Sequence, residues 1–104
     1  MSETKDIVGP ILDAFRQCGI FALRMNAGKI SKGKRWITLA PAGTPDIVVY
    51  PRGQMPLWIE CKLPTGKYAS DQVDMAIKLT GLGHKVMRIT SPDQITSKLL
   101  NELR

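Results

Sequence analysis

Two carboxylates and an amine, Asp46, Glu60 and Lys62, stand at positions from which they can meet. They lie in the stretch Gly43–Lys62, which reads GTPDIVVYPRGQMPLWIECK. Two apolar runs, Asp46–Tyr50 and Leu57–Lys62, flank Pro51-Arg52-Gly53-Gln54-Met55, a loop signal with glycine at its middle. β-Branched and aromatic runs around such a loop predict a β-hairpin. Pairing symmetric about Gly53 sets Tyr50 opposite Pro56, Val48 opposite Trp58 and Asp46 opposite Glu60. Lys62, two residues on, shares the face of Glu60. Facing Cβ atoms in an antiparallel pair are about 4.5–5.5 Å apart. Carboxylates that close repel unless a proton or cation intervenes, and desolvation disfavours charges within so apolar a run unless they are paired. A hard divalent cation suits the two acids; it would polarise a phosphoryl oxygen and lower the pKa of a bound water. Lysine beside it would orient that water or offset charge on a phosphorane-like transition state. The chemistry implied is phosphodiester hydrolysis.

The rest of the composition is compatible with that ligand. The chain has 104 residues, a length for one domain spanning 1–104, and its 43% hydrophobic and 23% charged content is that of a globular protein. Fifteen Lys and Arg against nine Asp and Glu leave a net charge of +6, which favours a polyanionic partner. No apolar run approaches the roughly 20 residues that span a membrane. The polar start Met1–Asp6, with no signal-peptide hydrophobic region after it, sets a cytoplasmic expectation. Cys18 and Cys61 lack metal-ligand spacing and read as reduced core thiols. His84 is the only histidine. A Ser-His-Asp triad, a His-metal nuclease and a zinc hydrolase each need more than it supplies, and it reads as part of a Gly83-His84-Lys85 turn.

The elements that must position the three charges follow from periodicity. Ile7, Val8, Ile11, Leu12 and Phe15 form one face of a first helix, with Thr4 or Asp6 as its cap, Pro10 confined to its first turn and Gly19 as its stop. Ile20–Met25 predicts a strand, Asn26–Arg35 a Gly/Lys-rich loop, and Trp36–Leu39 a short strand or an arm, broken by Pro41 and Gly43. After the hairpin, Leu63–Lys67 reads as a loop. Ser70 caps a second helix whose apolar face includes Val73, Ile77 and Leu79 and which ends at Gly81 or Gly83. Lys85–Thr90 is a last strand, and Ser91-Pro92-Asp93 opens a terminal helix. Strands apolar on both faces imply a sheet covered by helices on both sides, an α/β domain.

Gly28-Lys29-Ile30-Ser31-Lys32-Gly33-Lys34-Arg35 satisfies the G-x-x-x-x-G-K part of a nucleotide-binding P-loop. The motif must end in Ser or Thr and open a helix; here Arg35 and a β-like run follow, so no nucleotide cofactor is expected. Lys29, Lys32, Lys34 and Arg35 are better read as a flexible basic loop that contacts nucleic-acid phosphates, with a merely solvated loop as the alternative. Asn26 and Lys67 join this DNA-binding set, although Asn26 also suits a turn.

Pro45-Asp46 followed by Glu60-Cys61-Lys62 resembles the PD-(D/E)XK nuclease signature. More narrowly, the chain resembles the virus-type replication-repair nuclease (VRR-NUC) domain in its small stand-alone phage and bacterial form, through Arg24-Met25-Asn26, Gly43-Thr44-Pro45-Asp46-Ile47, Glu60-Cys61-Lys62, Gly66 and Gln72. That form implies the cytoplasm of a bacterial or phage-infected cell. The resemblance implies a restriction-endonuclease-like core, a mixed β-sheet flanked by helices in the order α-β-β-β-α-β-α. It implies that Asp46, Glu60 and the main-chain carbonyl of Cys61 hold Mg2+, with Mn2+ able to substitute. Lys62 would be the catalytic lysine, Gln72 would reach back from the second helix, and Glu3 would be a first-helix acid at the metal. It also implies branched DNA, such as four-way (Holliday) junctions, as substrate, and a homodimer acting on two strands. The Trp36–Leu39 segment is either an exchanged arm for such a dimer or a core strand. Ala69 stands where a Ser or Thr cap is expected three residues before Gln72. Two other classes stay open: a non-catalytic nucleic-acid-binding module, and a metal-dependent RNA or nucleotide hydrolase.

Overall fold

The computed structural model describes residues 4–27 and 29–104, without the side chains of residues 4, 5, 29–32 and 36–38. Among the described residues no helix is long and apolar enough to cross a membrane. A π-helical turn, Thr4–Val8, leads into α1, Gly9–Gln17. Pro10 falls in the first turn of α1, directly after the π-helical turn, where the hydrogen-bond pattern changes. The expected side-chain cap is not used: Val8 is the N-cap, in helical geometry, because the chain enters α1 already helical. Ile7, Val8, Ile11, Leu12 and Phe15 are all buried, as their spacing predicts. Gly19, at φ 70°, turns the chain out of the helix, a conformation glycine adopts without strain.

Strands β1 (Phe21–Arg24), β4 (Ile47–Tyr50), β5 (Leu57–Cys61) and β6 (Lys85–Ile89) form one sheet in the order β1-β4-β5-β6. The β1/β4 and β4/β5 pairs are antiparallel and β5/β6 is parallel, so the sheet is mixed. A parallel neighbour requires a crossover, and α2 (Ser70–Gly81) supplies it between β5 and β6. With α1 before the sheet and α3 (Ser97–Leu103) after it, these elements run α-β-β-β-α-β-α. Val48 pairs with Trp58 as the Gly53-centred hairpin requires, beside Ile47–Ile59 and Val49–Leu57. The ladder stops short of Tyr50–Pro56, since proline has no N–H to give it. Tyr50 instead pairs with Phe21 on its other side, their rings 5.7 Å apart.

Residues 29–32 depart from the expected flexible loop, whereas the strand expected at Trp36–Leu39 is present, one residue earlier. Lys29–Lys32 (β2) and Arg35–Thr38 (β3) form a separate antiparallel hairpin, closed at Lys32–Arg35 around Gly33, whose φ is 65°. Lys-Ile-Ser-Lys has a single apolar residue and no strand signal of its own; it pairs because glycine at positive φ supplies what a tight two-residue hairpin turn needs. This also disposes of the P-loop, since the run after Gly33-Lys34 is a strand. Nor does β3 join the main sheet; a hydrogen bond from Ala40 N–H to the Asn26 carbonyl (2.8 Å) closes the base of the arm.

The other differences concern helices. Pro92–Gln94 is a single 3-10 turn, capped by Ser91 and by Gln94 Oε1, which accepts from Ser91 N–H at 3.0 Å. The terminal helix begins later, at Ser97, with Thr96 Oγ1 accepting from Leu99 N–H as its cap. In α2 the N-cap is Ala69 rather than Ser70. Val73 and Ile77 face outward, and Ile77 is 67% exposed. The sheet-facing stripe is Gln72, Met75, Ala76 and Leu79, all at least half-buried, at the i, i+3, i+4, i+7 spacing of one helix face.

Candidate active site

Alternation along β5 divides its side chains between two environments. Leu57, Ile59 and Cys61 enter the core with Ile47, Val49 and Ile89, beneath α1 and α3. Trp58 and Glu60 leave on the other side. Trp58 is half-buried and donates from Nε1 to His84 Nδ1 at 2.9 Å, the two rings lying nearly parallel. His84 is indeed in the turn before β6, but it also anchors the tryptophan two residues from Glu60. Glu60 is only 5% exposed, the one charged residue among the described buried side chains.

Asp46 immediately precedes β4. Its carbonyl accepts from Met25 N–H at 2.7 Å, which ties it to the end of β1. One step beyond the Ile47–Ile59 pair, it lies opposite Glu60 in register. Its Oδ2 accepts from Cys61 N–H at 2.8 Å, so the carboxylate takes over a bond that the strand ladder would otherwise make and is held beside the Cys61 main chain. The loop before it is set by Thr44, which bonds back to the Pro41 carbonyl through both N–H and Oγ1, and by buried Pro45. Gly43, at φ 89°, brings this loop against the start of α2, where any Cβ would overlap the Asp71 carbonyl. Only glycine fits there.

Gln72 connects the remaining groups. At the third position of α2, its Oε1 accepts from Ala69 N–H at 2.8 Å, a helix-capping bond that fixes which end of the amide is oxygen. The same oxygen lies 3.4 Å from Lys62 Nζ, and Nε2 donates to Glu60 Oε1 at 3.3 Å. A serine or threonine at position 69 is therefore not needed to orient Gln72, because the backbone amide suffices. Lys62 continues the ladder beyond β5 through its N–H to the Ile89 carbonyl (2.9 Å). Gly66 makes room for its stem: a Cβ there would stand 2.8 Å from Lys62 Cγ.

The structure thus brings Asp46, Glu60, Cys61, Lys62 and Gln72 to one end of the sheet. Asn26 is one residue beyond the Met25–Asp46 bond, and Lys67 is exposed in the loop before α2. Lys34 and Arg35 are exposed at the turn of the arm; the side chains of Lys29 and Lys32, and the whole of Glu3, lie outside the described residues. Cys18 and Cys61 are both free thiols. Among the described residues no group of three or more His, Cys, Asp or Glu side chains is placed to hold a metal. The fit to a hard cation therefore rests on two carboxylates and a main-chain carbonyl. That donor set suits Mg2+, which takes one or two carboxylates and keeps several waters. Tyr68 and Arg88, which the sequence reading did not single out, also stand at this end of the sheet. No family model matches the chain, and neither does any curated protein or solved structure.

Proposed function

We propose that the protein is a metal-dependent DNA endonuclease of PD-(D/E)XK type, acting on branched DNA such as four-way junctions, as a homodimer. The observation that carries the reading is the linkage of Glu60, Gln72 and Lys62 by hydrogen bonds beside Asp46, at one end of an otherwise apolar hairpin. A divalent cation held by Asp46, Glu60 and the Cys61 carbonyl, Mg2+ or in its place Mn2+, would supply Lewis acidity toward phosphoryl oxygen and a bound water of lowered pKa.

The chain's own side chains do the rest. Gln72 holds the Glu60 carboxylate from one end of its amide and receives the Lys62 ammonium at the other, which keeps carboxylate and ammonium in a fixed relation. Lys62 places positive charge where the pentacovalent transition state accumulates negative charge; preorganised charge of this kind is worth on the order of 10²–10³ in rate. The basic arm and Lys67 hold flanking backbone phosphates without reading sequence.

The decisive experiment incubates the protein with linear, flap and four-way-junction DNA, with and without Mg2+. Metal-dependent cleavage with a preference for the junction is expected; folded protein that cuts none of them refutes the reading. Lys34 and Arg35 test the arm: replacing both with Gln weakens DNA binding and lowers the slope of log K against log salt by about 2, one per phosphate contact. An unchanged slope returns the arm to a solvated hairpin.

A further inference from the structure

The site face of the sheet carries a second cation. Arg88 lies on β6 in parallel register with Glu60 on β5, so its side chain leaves the sheet on the side of Glu60 and, two residues on, Lys62. Tyr68, from the loop joining β5 to α2, brings both cations to one ring. The Arg88 guanidinium carbon is 4.2 Å from the ring centroid, and Lys62 Nζ is 5.8 Å from it. Both lie within the roughly 6 Å over which a ring quadrupole attracts a cation.

A ring holds a guanidinium by its face and takes up none of its N–H donors, which remain in the plane of the group for another partner. Arg88 is exposed, so those donors are presented at the surface, while Tyr68 and Lys62 are half-buried. Glu60 is the acid of this face, in register with Arg88; where its carboxylate is given to a metal, the two cations gathered at one ring repel unless a further anion joins them. The anion that suits a guanidinium fork beside an ammonium is a phosphate: the fork binds it through two parallel N–H bonds, and the ammonium acts as a point charge.

We propose that Arg88 is a phosphate-binding residue, holding the backbone phosphate next to the one that Lys62 faces, and that Tyr68 is its positioning residue. The ligand class is a nucleic-acid phosphodiester. The inference rests on the phosphodiester reading of Asp46, Glu60 and Lys62, and it extends the site across β6, away from the basic arm.

Four variants test it: Arg88→Gln, Arg88→Lys, Tyr68→Phe and Tyr68→Leu. Each is titrated with four-way-junction DNA in Ca2+ across a salt series, assayed for cleavage in Mg2+, and melted. Arg88→Gln is expected to lower affinity about tenfold at low salt and to reduce the salt slope by about 1, as loss of one phosphate contact does. Its KM rises while kcat stays within about twofold, because the contact forms in ground and transition states alike. Arg88→Lys keeps the slope but not the full affinity. Tyr68→Phe behaves as the parent because the ring is retained, whereas Tyr68→Leu shifts in the direction of Arg88→Gln.

Parental affinity and slope in folded Arg88→Gln overturn the inference. So does a loss of binding that merely follows the loss of thermal stability across the four variants, which would assign the stack to loop packing. The nuclease reading fails separately: a parent protein that binds DNA but cuts none condemns that reading, while the slope change still reports on Arg88.

Discussion

The two faces of the four-stranded sheet are built from alternate residues of the same strands, yet they follow different rules. On one, Ile47, Val49, Ile59, Cys61 and Ile89 are completely buried under α1 and α3, and no charge intrudes. On the other, Val48 is buried, but Phe21, Leu23 and Tyr50 remain 41–62% exposed, and at the far end of the strands from Tyr50 lies Glu60 at 5%. The helix on this side, α2, packs against β6 at the sheet's edge. It covers less of the sheet than expected from strands apolar on both faces. The first face holds the fold together and the second bears the chemistry. Neighbours in sequence, Ile59 and Glu60, belong to one each.

That contrast is sharpest when those two residues are exchanged in turn. Glu60→Gln should reduce metal-dependent cleavage by 10²–10³ or more, on the order of 3–4 kcal/mol of transition-state stabilisation. Its melting temperature should change little: the amide keeps the shape and the bond to Gln72, and relief from burying a charge is offset by lost attraction to the cations beside it. Ile59→Ala should do the opposite. A buried isoleucine cut to alanine costs about 2–5 kcal/mol in stability, and cleavage per folded molecule should survive at a temperature where the protein remains folded. Chemical denaturation and single-turnover cleavage on the same preparations decide the matter. If both variants lose stability and activity in step, the two faces are one cooperative unit and their division is not functional.

Gly43→Ala probes the joint between the faces. A left-handed φ and overlap with the Asp71 carbonyl force the start of α2 away, at about 1–3 kcal/mol. Gln72 moves with it, so cleavage should fall more than stability alone accounts for; activity in proportion to the folded fraction would show Gln72 to be dispensable. The smallest effect expected is from Trp58→Phe, which keeps an aromatic ring, though a smaller one, and deletes the bond to His84. A single net hydrogen bond is worth about 0.5–1.5 kcal/mol. DNA cleavage should be within a few-fold of the parent, and a larger loss would make the Trp58–His84 pair a support of Glu60.

Much of the site was legible in the sequence because a hairpin is a local structure. A loop centred on Gly53 and strands of period two suffice to pair Val48 with Trp58 and bring Asp46 opposite Glu60, with no knowledge of distant residues. The first helix was legible for the same reason, its five apolar positions lying on one turn-periodic stripe. The face of α2 was legible only in part: Leu79 is buried as expected, but Val73 and Ile77, more apolar than Gln72, point outward, and the inward stripe includes Gln72 because a polar site lies beneath it. Of the arm, β3 was legible in Trp36–Leu39, whereas β2 was concealed by its lysines, which suggest solvent more strongly than a single isoleucine suggests a strand.

By itself the sequence determined the hairpin, its register and the residue types at its charged end, since each depends on short separations and on side-chain period. Only the tertiary structure decided what surrounds them. The parallel pairing of β5 with β6 crosses a helix and two loops, and no pattern in either strand specifies which residue of one meets which of the other. That pairing sets Arg88 beside Glu60, and the loop before α2 then brings Tyr68 to both cations. Local periodicity can place a carboxylate on a face; packing across the crossover decides which side chains meet it there.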